Sequence, residues 1–223
     1  MINRSAICTA QGQGQILADW LSANAAAYFD SVVYDSTANT VTCYVGELDF
    51  LTLKPDALNV NGGIVIKNTG GQTRSSRLYG SGATAYMTTG YTCTNGVVLS
   101  NCSADSMQNT PGIIIAKDES GNTGIMHSET VSYRSSSGYG SNGFTITSSA
   151  DTGVQSNTPF TMSPYQSGYV LKTVFCPAVS TCVSSPHYFP HVYLTPWNQA
   201  PGTGKLTANG QDYLTTGLVA IKD

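Results

Sequence analysis

QILADWLSANAAAYFDSVVYDSTANTVTCYVGELDFLTLK, residues 15–54, changes its period halfway along. Through residue 30, Ile16, Leu17, Trp20, Leu21 and Tyr28 recur at helical spacing beside an alanine-rich run, which predicts an amphipathic helix over 15–30. From Ser31 the period drops to two. SVVYD, NTVTCYVG and ELDFLTLK read as successive strands, with Val41, Cys43 and Val45 alternating against Thr40, Thr42 and Tyr44. A helix with one apolar face needs a sheet to cover it, so this stretch predicts a small helix-plus-sheet unit.

Toward the C-terminus, VNGGIVIKNTGGQTRSSRLYGSG (60–82) reads as a strand inside Gly-rich turns and marks a boundary between residues 1–71 and 72–223. Beyond it the signals are strands and turns alone, among them YTCTNGVVL, PGIIIAKDESGNTGIMHS, GFTITSS, YVLKTVFC, HVYLTP, GKLTANGQDYLTTG and LVAIKD. Asn-Gly at 95 and 209 and Ser-Gly-Asn at 120–122 separate apolar runs, the chemistry of tight hairpins with positive φ. The expected fold is mainly β: a helix on a short sheet, then an antiparallel β-sandwich or partly open barrel. The polar tract SYRSSSGYGSNG (132–143) has little to bury and reads as a long surface loop, or one ordered by another chain.

Composition narrows the class of partner. Charged residues make up 10% of the chain and the net charge is −3, with no Lys/Arg cluster, so nothing in the sequence offers a footprint for nucleic acid or an anionic membrane. No apolar run approaches the length of a membrane-spanning helix, and MINRSAICTAQGQGQ lacks the apolar core of a secretory signal. Synthesis in the cytoplasm is the expectation, and with it reduced thiols at Cys8, Cys43, Cys93, Cys102, Cys176 and Cys182. Two spacings leave disulfides open at a later stage, Cys93 with Cys102 and Cys176 with Cys182.

Candidate chemistry is sparse. His127 and Glu129 share one face of an expected strand, which by itself describes a solvated surface. His187 and His191 have the spacing of a helical metal pair, but Pro186 and Pro190 forbid a regular helix there and no carboxylate or thiol adjoins them. Gly202-Thr203-Gly204-Lys205 fails as a phosphate loop because Gln199 and Leu206 stand where the pattern needs Gly and Ser/Thr. No catalytic, cofactor or metal residues are therefore assigned. Aromatic residues stand out instead: the chain has 13 tyrosines, and Tyr133, Tyr139, Tyr188, Tyr193 and Trp197, all in the second segment, are the candidate interface or glycan contacts. Such rings supply binding area at low entropic cost, in interfaces between subunits and in saccharide clefts alike.

The end of the chain carries a resemblance. HVYLTPWNQ, the Gly-rich turn within APGTGKLTANGQDYLTTG, and the terminal LVAIKD resemble the C-terminal pattern of small structural virion proteins of tailed bacteriophages, over about the last forty residues. The uncharged Gly/Ser/Thr/Asn-rich β composition is similar to that class as well. The resemblance implies a non-enzymatic protein without cofactors that is made in the host bacterial cytoplasm and ends in the virion. It implies self-association as a homo-oligomer and contacts with other virion proteins; it does not fix the place in the particle among tail, neck, baseplate and head surface, of which tail or neck is favoured over capsid decoration. The alternative is a receptor-binding module that grips host cell-surface saccharide through the C-terminal Tyr and Trp loops.

Overall fold

The computed structural model describes residues 1–8, 14–54, 64–67, 69, 73–76, 87–101, 112–129, 142–150, 157–160, 172–175, 188–194, 203–208, 210–216 and 219–223. The chain opens with strand β1 (Asn3–Cys8) and helix α1 (Gly14–Asn24). Five strands follow, β2 (Ser31–Asp35), β3 (Thr40–Val45), β4 (Leu48–Leu53), β5 (Ile64–Lys67) and β6 (Thr73–Ser76), paired antiparallel in chain order. The expected helix is shorter than its apolar period. After Asn24 the chain turns so that Phe29 enters the core and the Asp30 amide donates to Tyr44 O at 2.8 Å, which starts the sheet.

A seven-stranded sheet comes next, from β7 (Met87–Cys93), β8 (Gly96–Asn101), β9 (Gly112–Lys117), β10 (Thr123–Glu129), β11 (Asn142–Ser148) and β12 (Asn157–Phe160). Its first strand is β1, which pairs antiparallel with β7 from Asn3↔Thr92 to Cys8↔Met87. Residues 1–71 and 72–223 thus share a sheet. Pro159 lies on β12, the last strand of the order, where a missing N–H costs the ladder least. The third sheet holds β13 (Lys172–Phe175), β14 (Tyr188–Leu194), β15 (Thr203–Ala208), β16 (Gln211–Thr216) and β17 (Val219–Lys222), in the order β13-β14-β17-β16-β15. All three sheets are antiparallel and none closes into a barrel.

The seven-stranded sheet is the middle layer. On one face Val97, Leu99, Ile113, Ile115 and Ile125 join the core of α1 and the N-terminal sheet, with Leu17, Leu21, Val41, Phe50, Leu51 and Leu53. On the other face Val98, Ile114, Ala116 and Met126 pack with Phe189, Val192, Leu214 and Ile221 of the C-terminal sheet. The register enforces this division, because Val97–Ile115–Ile125 and Val98–Ile114–Met126 are cross-strand rows and neighbouring rows point to opposite faces. Burial on both faces explains why VVL and IIIA are continuous apolar runs rather than alternating ones.

Close approach of the layers is made by small residues. Gly96, Ala116 and Gly124 form one cross-strand row on the C-terminal side. A Cβ at 96 would overlap Ile221 Cδ1 and stand 2.7 Å from Ile115 O, while one at 124 would overlap the Phe189 ring. Gly96 was expected to supply positive φ to a turn, but positive φ occurs at Gly46, Gly121 and Gly210 and not at Gly96. Its missing side chain is required for packing instead. On the opposite face Gly90 makes the same allowance for the Trp20 ring, whose buried Nε1–H has no hydrogen-bond partner among the described residues.

The segment around Pro190, where a regular helix was excluded and HVYLTP was read as a strand, is the seven-residue strand β14. Facing β13 its register jumps, with Val174 opposite Phe189 and Thr173 opposite Tyr193. The bulge takes up Pro190, which has no N–H for the ladder, and lets both Phe189 and Val192 point inward.

Candidate functional site

Inward burial on the C-terminal sheet fixes what points outward. Phe189, Val192 and Leu214 are fully buried, so Tyr188, Tyr193 and Tyr213 stand on the opposite face, each half-buried. Tyr193 and Tyr213 meet edge to face, with ring centroids 5.5 Å apart and an interplanar angle of 87°. The Tyr193 hydroxyl donates to Pro190 O at 3.4 Å. Burial, together with the neighbouring phenols of Tyr213 and Tyr188, raises the Tyr193 hydroxyl above the ordinary range, so it remains a neutral donor at physiological pH. His191 is exposed beside these rings, and Lys222 lies opposite Tyr213 in the ladder. The described part of this surface is aromatic, suited to stacking and hydrogen bonding.

Two of the five aromatic residues singled out in the sequence, Tyr188 and Tyr193, are brought together here, whereas Tyr133, Tyr139 and Trp197 lie outside the described residues. Tyr213 is the member that sequence reading missed; its alternation with Leu214 in GQDYLTTG was the available signal. His127 and Glu129 lie two residues apart on β10, with His127 opposite Ile113 and Thr145. His187 is outside the described residues, and His191 is exposed on β14. Lys205 of the rejected phosphate loop sits on β15 and pairs with Asp212 Oδ2 at 2.6 Å. Among the described residues no group of three His, Cys, Asp or Glu side chains is placed to hold a metal. Cys43 and Cys93 carry free thiols; Cys102, Cys176 and Cys182 lie outside the described residues.

Two polar constructions support this face from the middle layer. Asp118, in the β9–β10 turn, is buried, and its carboxylate accepts from Ser120 N (2.9 Å), Asn122 N (2.8 Å), Asn122 Nδ2 (3.0 Å) and Ser148 Oγ (3.3 Å). With so many donors the charge is compensated and the turn is rigid. The same turn reaches both flanking layers: Thr123 Oγ1 donates to Tyr28 O, Glu119 N donates to Tyr188 O at 2.8 Å, and Lys117 Nζ lies 6.0 Å from the centre of the Tyr28 ring. Burial pushes the Tyr28 hydroxyl up to about 12, with a smaller contribution from Cys93.

The second construction is a clasp at the β7–β8 turn. Asp223 Oδ1 accepts from Thr94 N and Thr94 Oγ1, both at 3.1 Å, and from the Met1 ammonium at 2.8 Å. Asn95 Nδ2 donates to Lys222 O at 3.0 Å. The ammonium hydrogen bond, then those from Thr94, hold the Asp223 carboxyl below its ordinary range. Burial raises the Cys93 thiol beside it, partly offset by hydrogen bonds from the Asn95 and Gly96 backbone.

Compared with protein-family models, with curated proteins and with solved structures, the chain matches none.

Proposed function

We propose that this chain is a non-enzymatic structural component of a tailed-phage virion, which assembles as a homo-oligomer and contacts other virion proteins in the tail or neck rather than as capsid decoration. The observation that supports this reading is the outward face of the C-terminal sheet. Its inward side chains are consumed by the central layer, and Tyr188, Tyr193 and Tyr213 stand half-buried on its opposite face. Tyrosine is enriched at the centres of protein interfaces, and three of them gather on this face. The segment that resembles phage virion proteins, residues 191–223, covers most of β14 and all of β15–β17, and so builds the same sheet. On this reading the protein is made in the host cytoplasm and needs no cofactor.

The deciding measurement is the mass in solution by light scattering across a concentration series, on the wild type and on Tyr193→Ser/Tyr213→Ser. A closed oligomer of fixed number that dissociates in the double variant is expected. A wild type that stays monomeric at every concentration would overturn self-assembly. The same rings, with His191 exposed beside them, favour a second reading, a receptor-binding module for host surface saccharide. A glycan array probed with the full chain separates the two: binding lost in the double variant supports the saccharide, and silence supports the interface.

A further inference from the structure

Asn95-Gly96 is a dipeptide whose side-chain amide and following backbone nitrogen are prone to react, and the fold places it at the joint between two layers. Asn95 occupies the two-residue turn that closes the Cys93↔Gly96 pair, and its Nδ2 is spent on Lys222 O at 3.0 Å. Thr94 binds Asp223 Oδ1 through both its amide and its hydroxyl. Gly96 is buried, lies against Ile221 and Ile115 O, and sits at the first rung of the ladder. While the clasp is closed, neither the Asn95 amide nor the Gly96 nitrogen is at liberty to move.

We propose that Asn95 is a modification site whose deamidation is gated by this clasp and, once done, holds the clasp open. When the turn and the Lys222–Asp223 segment separate locally, the Gly96 nitrogen attacks Asn95 Cγ. The new N–Cγ bond closes a succinimide, the Cγ–Nδ2 bond breaks, and ammonia leaves with the proton lost by the Gly96 amide. Water then opens the ring and yields aspartate or isoaspartate at 95. The product has a carboxylate where a donor faced Lys222 O, so it lacks the hydrogen bond and repels the Asp223 carboxylate one residue away. Isoaspartate also adds a backbone atom to the two-residue turn that closes the Cys93↔Gly96 pair. The last strand's end, held to the central sheet before the reaction, is released after it and does not return.

Peptide mass spectrometry of the intact protein incubated at mildly alkaline pH tests this, with wild type, Thr94→Ala and Asp223→Ala followed in parallel. Asn209-Gly210 in the same digests serves as an internal clock. Conversion at Asn95 is expected to be slow in wild type, faster in Thr94→Ala and about tenfold faster in Asp223→Ala, the change in open population that about 1.4 kcal/mol of lost clasp produces. Conversion at Asn209 should be unchanged across the three. Equal rates at Asn95 in all three proteins, equal acceleration at both sites, or an unmodified Asn95 in Asp223→Ala after Asn209 has converted would each overturn the proposal. A direct readout completes it. Asn95→Asp should speed amide exchange at Thr94, whose N–H donates to Asp223 Oδ1, and unchanged exchange there would remove the ratchet.

Discussion

Two five-stranded antiparallel sheets flank the same central layer, yet they are built by different routes. The N-terminal sheet is a meander in which each strand pairs with its successor, and the helix that covers it directly precedes it. The C-terminal sheet puts its last strand, β17, in the middle, between β14 and β16, and absorbs a proline through a bulge. The first is specified by neighbours in sequence and the second by partners far along the chain. Local specification makes a segment legible and quick to form, whereas long-range specification lets a segment be anchored to another layer, here through Gly96, Gly124 and the clasp.

The largest test asks whether the flanking layers are energetically separate. Phe50 fills the core on one side of the central sheet and Phe189 on the other, both fully buried. Each Phe→Ala change is expected to cost about 3–5 kcal/mol. Because both cores share β8, β9 and β10, denaturant unfolding of each variant should remain a single transition. Two transitions in Phe189→Ala, the later one at the wild-type midpoint, would break the comparison by making the C-terminal sheet an independent unit.

A smaller effect separates packing glycines from turn glycines. Gly96→Ala is expected to lose about 1–3 kcal/mol, because the added methyl meets Ile115 O, a backbone atom fixed in the ladder, as well as Ile221. Trimming Ile221 to Val in the same chain should restore part of that loss. Gly46→Ala, in the β3–β4 turn, meets nothing within 4 Å and carries only the strain of its φ of 58°, about 1 kcal/mol. Equal losses at the two sites by thermal melts would erase the distinction.

The smallest test assigns the two limbs of the pH–stability curve. Burial drives the Cys43 thiol, in the N-terminal sheet, well above its ordinary range. Its contribution is complete below the unfolded thiol value of about 8.5 and is lost as pH rises, by up to about 1.4 kcal/mol per pH unit. Asp223, at the end of the C-terminal sheet, is shifted the other way, so its contribution is present above about pH 3.9 and is lost as pH falls through the lowered folded value. Urea unfolding across pH should show Cys43→Val flattening only the alkaline limb and Asp223→Ala only the acid limb.

The sequence was most readable where pairing is local. The change of period at Ser31 located the start of α1 and β2–β4 within a few residues, and YTCTNGVVL and PGIIIAKDESGNTGIMHS were readable as strands and turns. What it concealed depends on distance. Nothing in NRSAIC distinguishes an edge strand of a sheet formed by residues 87–160, because the partner supplies the order. The helix was overextended because alanine repeats satisfy the helical period while Phe29 obeys the core. Gly96 was read from its neighbour Asn95 as a turn residue, when its constraint comes from Ile221, 125 positions away. At the candidate site Tyr188 and Tyr193 were visible by residue type, but their convergence with Tyr213 follows from the order β14-β17-β16, which no local pattern encodes.

A central position for β17 also dictates a sequence of events during synthesis. Until the ribosome has released residues through Lys222, β14 and β16 have no strand between them, and the apolar surface meant for Ile221 and Phe189 lies open on the nascent chain. The N-terminal sheet and helix are complete long before that moment. Until β17 has emerged, the growing polypeptide therefore carries a half-covered middle layer, open to whatever chaperone or sister chain reaches it first.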